Sequence, residues 1–395
     1  MIIEPRTRGF ICTTSHPEGC EQSVLNQIEY IKSKESIESP KNVLVIGAST
    51  GFGLASRITS AFGSKSSTIG VFFEKPPSEG RTASSGWYNT AAFEKEAQKE
   101  GIYAKSINGD AYSNEIKEQT IQLIKEDLGQ IDLVIYSLAS PVRTHPETGV
   151  KYKSTLKPIG DTYTNKTVDF HTGVVKEISI EPSKGDDIEN TVTVMGGEDW
   201  EMWINALKKE GLLSADFKTV AYSYIGPKLT EAVYRKGTIG KAKDHLEATA
   251  FTITDSLKDI NGKAYVSVNK ALVTQSSSAI PVIPLYMSLL YRVMKDNRVH
   301  EGCIEQIHRL FTERLFLDKV PTDAKGRIRI DDLEMRSDIQ DKVSELWDKV
   351  TTENLTEIGD LEGYRNEFFH LFGFNYTKVD YMKEAEEVVE IPSLQ

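Results

Sequence analysis

The sequence predicts an α/β fold: a doubly wound, Rossmann-type parallel sheet with inserted and C-terminal additions. Three observations predict it. Four apolar, strand-like runs alternate with helical stretches between Lys41 and Ser137. A glycine-rich turn, Gly47-Ala48-Ser49-Thr50-Gly51-Phe52-Gly53, directly follows the first run. The rhythm breaks at Pro141 and resumes at Thr219, as expected when a segment interrupts a sheet that then continues.

The elements follow in order. Lys41–Gly47 is a short apolar run ending in glycine, the composition of a strand buried on both faces. A helical pattern covers Phe52–Phe62, then Thr68–Glu74 reads as a second strand and Tyr103–Ile107 as a third. Asn114 is placed to cap a helix whose apolar stripe uses Ile116, Leu123, Ile124 and Leu128. Ile131–Ser137 is the fourth strand. Pro141–Asn190 is polar, rich in Thr, Lys, Gly and Asp, and reads as an excursion from the sheet. A helix over Asp199–Lys209 brings Trp200, Trp203 and Leu207 to one side as packing residues. Thr219–Tyr224 is the fifth strand, followed by a helix over Lys241–Leu257 and a strand over Ala264–Asn269. Pro284–Lys295 reads as an apolar helix, and Arg327-Ile328-Arg329-Ile330 alternates like a short exposed strand. Ser337 is placed to cap an amphipathic helix running to Val350, and the acidic end after Lys383 reads as a loose tail.

Composition excludes several classes of function. With 395 residues, the chain is long enough for about 2.6 domains at roughly 150 residues each. Hydrophobic residues make up 39% and charged residues 27%, enough to bury a core. A net charge of −11 argues against nucleic acid or an anionic membrane surface as partner. Cys12, Cys20 and Cys303 cannot staple a chain of this size, which points to a reducing compartment. Met1–Arg6 lacks a basic stretch followed by an apolar one, so no secretory signal is read there. The apolar run from Ala279 to Tyr291 carries two prolines and falls short of the ~20 residues of a membrane span. A soluble, cytoplasmic protein is expected, a monomer or weak homodimer.

The glycine turn has the spacing G-x3-G-x-G, the short-chain-reductase pattern. Glycines there let the backbone approach a pyrophosphate, and the following helix offers free N–H groups and a positive dipole end. Gly47, Ala48, Ser49, Thr50, Gly51 and Phe52 are therefore expected at a dinucleotide; a tight turn with no ligand is the alternative. Glu74 stands 21 residues beyond Gly53, at the spacing of the carboxylate that accepts hydrogen bonds from an adenosine ribose. It would repel a 2′-phosphate, so NADH is expected over NADPH, although Lys75 offsets part of that repulsion. Phe73 sits beside it. Asp110 and Ala111, after the third strand, are placed to meet the adenine, and Leu138-Ala139, after the fourth, to meet the nicotinamide half. The expected organisation is one large α/β domain over 1–395. Residues 41–140 and 219–315 form its dinucleotide-binding core, 141–195 an insertion and 318–395 a C-terminal extension.

Tyr224 ends the fifth strand, Tyr234 follows ten residues later, and Lys243 lies nine further on. Short-chain reductases pair a tyrosine with a lysine that orients the cofactor and stabilises phenolate. On one continuous helix, nine steps of about 100° would put the two side chains on opposite faces. Gly237 and Gly240 lie between them, so the chain is expected to bend, with Tyr234 before the helix and Lys243 in its first turn. A surface tyrosine and a solvated lysine are the alternative. Cys12-x3-His16-x3-Cys20 has a metal-ligand spacing but no evident fourth ligand, and no metal is expected. His145, His171 and His245 have no acid or nucleophile at a suggestive spacing.

At these residues the sequence resembles the FabV-type enoyl reductases, which include the trans-2-enoyl-CoA reductases, over nearly all of its length. The glycine turn and Ser85-Gly86-Trp87-Tyr88-Asn89 carry the resemblance first. Tyr136-Ser137-Leu138-Ala139-Ser140-Pro141, Met195-Gly196-Gly197-Glu198-Asp199-Trp200 and the Tyr234/Lys243 pair continue it. Val266-Ser267-Val268-Asn269-Lys270 and His300-Glu301-Gly302-Cys303-Ile304-Glu305-Gln306 complete it.

The resemblance implies NADH-dependent reduction of the double bond of a trans-2-enoyl thioester, carried on coenzyme A or on acyl carrier protein. It implies Tyr234 as proton donor, Tyr224 as a substrate contact, and Lys243 with Leu272, Val273 and Thr274 at the cofactor. The chemistry suits the residues. Hydride delivered to Cβ drives charge onto the thioester oxygen, and a phenol bonded to that oxygen acts only as the charge develops. Lys243 beside it is expected to favour phenolate. Ile280–Leu290 is expected to wall the acyl chain, with ordinary core as the alternative. Arg292, Lys295, Arg298 and Arg309 would serve an acidic carrier protein as a basic patch, or form a solvated helix face. A ketoreductase acting on a carbonyl and a non-catalytic dinucleotide-sensing protein are the other readings.

Overall fold

The computed structural model describes residues 1–9, 11–138, 140–275 and 277–394. Strands β1 (Asn42–Ile46), β2 (Ser67–Phe72), β3 (Ala104–Asn108) and β4 (Ile131–Tyr136) pair in parallel. They continue into β5 (Leu213–Ser223), β6 (Lys263–Val268) and β7 (Ile328–Arg329), all parallel, in the order β7-β6-β5-β4-β1-β2-β3. This is the doubly wound α/β sheet expected. Strand order reverses between β1 and β4, and the crevice at that point is where such sheets bind ligands.

The helices of the first half are α1 (Pro17–Lys32), α2 (Gly51–Ile58), α3 (Ser85–Lys99), α4 (Asn114–Asp127), α5 (Asp187–Met195) and α6 (Glu198–Lys209). Those of the second half are α7 (Thr238–Ser256), α8 (Ile283–Asp296), α9 (Cys303–Leu310), α10 (Ser337–Lys349), α11 (Leu355–Ile358) and α12 (Leu361–His370). The period of two along β1 divides its side chains between two cores. Val43 and Val45 pack with α1, α2, α3 and α9, whereas Leu44 and Ile46 pack with α4, α6 and α7. A third core, centred on α8 and including Phe170, Tyr286, Tyr364 and Phe368, sits beyond the sheet and takes in Tyr234 at its edge. None of the described helices is long and apolar enough to cross a membrane.

Several expectations need correction. The polar excursion holds two hairpins, Val142–Thr144 with Lys151–Lys153 and Tyr163–Asp169 with Val174–Ile180. Tyr163, Val175, Ile178 and Ile180 are partly buried against the third core, while Val174, Lys176, Glu177 and Ser179 are exposed. Strand β5 begins at Leu213, earlier than expected, and both Glu74 and Tyr224 lie just beyond their strands. Ser113, not Asn114, caps α4, its hydroxyl accepting the Ile116 N–H at 3.2 Å. Ser337 is the first residue of α10 rather than its cap. Strand β7 is not exposed: Ile328 and Ile330 are buried because the strand closes the sheet edge beside β6.

The acidic tail is not loose. Ala385 N–H donates to the Met1 carbonyl at 2.9 Å, Trp87 Nε1 to the Val389 carbonyl at 2.7 Å, and Ser393 Oγ to Glu94 at 2.8 Å. Glu384 and Glu386 are exposed, Glu387 accepts the Gly80 N–H at 3.1 Å, and Ile391 is buried beside Phe72 and Ala91.

Candidate active site

One cavity of about 1120 Å³ opens at the C-terminal ends of the strands, at the switch point between β1 and β4. Gly47, Ser49, Thr50, Gly51, Phe52, Phe73, Glu74, Asp110, Ala111 and Leu138 line one side of it. Tyr224, Tyr234, Lys243, Leu272, Val273 and Thr274 line the rest, so the fold gathers nearly every expected site residue. Ala48 is the exception, buried beneath the turn in the core. Ala139 lies outside the described residues.

The turn is shaped by close backbone contact. Gly47 holds φ at +85°, and a Cβ on Gly53 would fall 1.8 Å from the Gly47 carbonyl oxygen. Thr50 caps α2 without a side-chain hydrogen bond, so the first N–H groups of the helix remain open to an anion. That opening fits a pyrophosphate. Thr274 comes to the same place from across the cavity, its methyl group 3.9 Å from where a Gly51 Cβ would stand.

Glu74 is held from three sides. Its backbone N–H donates to Asn108 Oδ1 at 2.8 Å, and Ser49 Oγ donates to its carboxylate at 2.7 Å. The third support is the start of α3, where Asn89 Nδ2 donates to the Ser49 carbonyl at 3.1 Å. Gly86 in that helix would place a Cβ 2.1 Å from Glu74 Oε1 and 2.7 Å from Ser49 Cβ. This assigns a structural purpose to Ser85-Gly86-Trp87-Tyr88-Asn89: it sets the acid and the glycine turn against each other. Gly86→Ala is expected to raise the dissociation constant for NADH by about tenfold, since displacing the carboxylate costs on the order of one charge-assisted hydrogen bond. Fluorescence titration of the folded variant checks it.

Tyr234 precedes α7 as expected, and Gly237 caps the helix. The bend is pinned by the insertion, where the Lys157 carbonyl accepts the Thr238 N–H at 2.9 Å. Lys243 falls in the second turn of α7 rather than the first, because the helix already starts at Thr238. It makes no hydrogen bond or ion pair among the described residues, and burial lowers its ammonium to about 8, opposed by Glu247. Burial and the negative charge of Glu334 push the Tyr234 phenol above its ordinary range, which keeps the proton in place.

The two tyrosines meet edge to face with ring centres 4.9 Å apart. Their hydroxyls differ. Tyr224 donates to Glu334 Oε1 at 3.0 Å, whereas the Tyr234 hydroxyl makes no hydrogen bond among the described residues. Of the expected acyl wall, Ile280, Ile283 and Met287 reach the cavity, while Leu285, Leu289 and Leu290 are core.

Other motif residues are structural. Asp199 is buried, paired with Lys117 at 2.8 Å and accepting the Tyr136 hydroxyl at 2.9 Å. Trp200 donates to Thr219 at 2.9 Å, which ties α6 to β5. Gln306 accepts the Lys270 N–H at 2.9 Å. His16 caps α1, accepting the Gly19 N–H, and packs on Tyr381. His145 stands 3.4 Å from Glu198, a contact its sequence spacing did not suggest. Arg292, Lys295 and Arg309 are spent on Asp296, Asp360 and Glu301, so the expected basic patch is largely neutralised.

Sequence reasoning gave no role to Glu334, Lys270 and Glu367; Lys270 and Glu367 line the cavity, and Glu334 and Glu367 lie far along the chain from the quoted motifs. The only signal was Lys270 at the end of Val266–Lys270, a lysine directly after a buried strand.

Residues 81–316 match the family described as the trans-2-enoyl-CoA reductase catalytic region, and residues 2–79 match its NAD(P)H binding domain. Residues 322–385 match a region described as an enoyl reductase FAD binding domain. A Flavobacterium psychrophilum protein named enoyl-[acyl-carrier-protein] reductase [NADH] is 72% identical over 395 residues, 100% of both chains. A Ruminiclostridium cellulolyticum protein named trans-2-enoyl-CoA reductase [NADH] is 60% identical over 394 residues, again 100% of both. The solved structure of Treponema denticola trans-2-enoyl-CoA reductase in complex with NAD superposes with a TM-score of 0.96 at 52% identity, covering 99% of this chain and 100% of that one.

The third region does not fit a flavin. From it, Glu367, His370, Leu371 and Tyr376 line the cavity, around the last turn of α12. A helix C-terminus and a carboxylate repel phosphate, and these residues form no glycine-rich turn.

Proposed function

This chain belongs to the trans-2-enoyl-CoA reductase family, and we propose that within it Tyr234 is the proton donor and Lys243 the residue that holds the nicotinamide ribose. The enzyme is an NADH-dependent reductase of the double bond of trans-2-enoyl thioesters. Bound NADH supplies the hydride that goes to Cβ of the conjugated thioester. The open N–H groups of Gly51 and Phe52, with Ser49, Thr50 and Thr274, hold the pyrophosphate. Glu74 accepts from the adenosine ribose, Phe73, Asp110 and Ala111 border the adenine, and Leu138, Leu272 and Val273 border the nicotinamide.

One observation carries the assignment of the donor. The Tyr224 proton is committed to Glu334, while Tyr234 is buried on the cavity wall with its hydroxyl unclaimed. A phenol held there, its proton retained by burial, donates to the thioester oxygen as negative charge gathers on it. Tyr224 contacts substrate through its ring and oxygen lone pairs. The apolar side chains of Ile280, Ile283 and Met287 take the acyl chain and exclude water.

The substrate class is an acyl thioester of coenzyme A or of acyl carrier protein, for the relatives bear both names. The pairing of Arg292, Lys295 and Arg309 with acids favours the coenzyme A ester over an acidic protein. A cytoplasmic monomer or weak homodimer, without nucleic-acid or membrane partners, is the proposed setting, supported by three free thiols and the charge of −11. Steady-state kinetics tests the reading. NADH is expected to be consumed with crotonyl-CoA but not with acetoacetyl-CoA; turnover of the ketone in place of the alkene would mark a carbonyl reductase.

A further inference from the structure

Two carboxylates from the C-terminal part of the chain, one buried and one partly exposed, reach the residues beside Tyr234. Glu334, in the turn between β7 and α10, is 0% exposed. Its Oε1 accepts the hydroxyls of Tyr224 at 3.0 Å and Tyr286 at 2.7 Å, and its Oε2 accepts the Ala271 N–H at 2.7 Å. Glu367 reaches the same run less directly. Its Oε2 accepts the Tyr291 hydroxyl at 2.8 Å, which in turn accepts the Val273 N–H at 3.0 Å. Alternate backbone N–H groups of the cavity-lining run Ala271–Val273 are thus fixed by two acids. The ammonium of Lys270, buried and donating to the Ala271 carbonyl at 2.9 Å, offsets the charge of both.

Burying a carboxylate is costly unless its oxygens are satisfied and its charge is opposed, and here both conditions are met. Burial raises the Glu334 carboxyl above its usual range, opposed by the Lys270 ammonium and by the bonds its oxygens accept from Tyr286 and Ala271. The consequence falls on Tyr224. Its hydrogen points at Glu334, so towards the cavity it offers lone pairs alone. If that hydrogen were released, a second phenol 4.9 Å, ring to ring, from Tyr234 would compete for the thioester oxygen.

We propose that Glu334 is a positioning residue for the reduction: by taking the Tyr224 proton and the Ala271 N–H, it makes Tyr224 an acceptor and reserves proton donation for Tyr234. The proposal rests on the reading of Tyr234 as donor. It also gives the C-terminal segment a part in the site unrelated to any flavin.

A double-mutant cycle tests it. In Glu334→Gln the carbonyl keeps the Ala271 N–H while the amide nitrogen faces the tyrosines, which reverses Tyr224. That variant is expected to lose about tenfold in kcat with crotonyl-CoA, with the NADH dissociation constant from fluorescence titration within about twofold of wild type. In a Tyr224→Phe background the same change should alter kcat by less than about twofold, because the partner it acts through is gone. An unchanged kcat in Glu334→Gln, or an equal loss in both backgrounds, overturns the positioning role. Should the Gln variant not fold, Glu334→Asp, which withdraws both oxygens by one methylene and so also loosens Ala271, enters the same cycle, and its loss in kcat is expected to be at least about threefold smaller in the Tyr224→Phe background than in wild type. Failure of the underlying reading is seen separately, as wild-type turnover in Tyr234→Phe.

Discussion

Tyr234→Phe is expected to lower kcat for enoyl thioester reduction by about 10²- to 10⁴-fold, the range for loss of a positioned proton donor. NADH affinity should stay within about threefold, because the hydroxyl removed makes no hydrogen bond among the described residues. The loss falls on kcat rather than KM because charge reaches the thioester oxygen only along the reaction, where a phenol aimed at it is worth far more than in the ground state. The ring itself is retained in Phe and still packs edge-on against Tyr224, so the fold should survive the change. Tyr224→Phe provides the contrast. Its proton already belongs to Glu334, so its effect on kcat should be at least about tenfold smaller than that of Tyr234→Phe. Stopped-flow measurement of NADH oxidation with each variant, after titration of NADH binding, checks both numbers.

Lys243→Met should cause the second large loss, with kcat/KM for NADH down by about 10²-fold or more. The side chain lines the cavity with no hydrogen bond or ion pair among the described residues, and Glu247, one turn along α7, is already engaged by Arg235 at 2.9 Å and Arg327 at 3.2 Å. An ammonium left free in that position is available for the ribose hydroxyls. Its lowered value of about 8 gives the pH dependence a sign. The cation exists below that pH and is lost as pH rises through it, so kcat/KM for NADH should fall on the alkaline side, above about 8. Lys243→Arg keeps the charge and should move that limb upward, while Lys243→Met should remove it. An alkaline limb unchanged in both variants would assign the titration to another group.

Much of this was legible in the sequence because the signals were local. The run Asn42–Ile46, the glycine turn and Glu74 lie within one strand–helix–strand unit, and their spacing follows from the geometry of that unit. The bend between Tyr234 and Lys243 could be inferred from helical periodicity together with Gly237 and Gly240 between them, since the pair cannot share a face of one helix. The missed residues are those whose role depends on contacts far along the chain. Glu334 follows Asp331-Asp332-Leu333 and looks like part of a solvated acidic turn; packing against α8 and the end of β6 buries it. The tail after Lys383 looked loose for a similar reason. Composition reports its acidic side chains but not the backbone carbonyls of Glu387 and Val389, which Tyr88 and Trp87 take up at 2.7 Å each. The raised Tyr234 phenol was not legible either, because its causes are burial and the charge of Glu334, a residue far along the chain.

A structure of the enzyme with NADH and butyryl-CoA, the saturated product of crotonyl-CoA, tests the assignment of the donor most directly. The Tyr234 hydroxyl should lie within about 3.2 Å of the thioester oxygen, with the Tyr224 hydroxyl still on Glu334. A thioester oxygen bonded instead to Tyr224, with Tyr234 turned from the nicotinamide, would contradict the account.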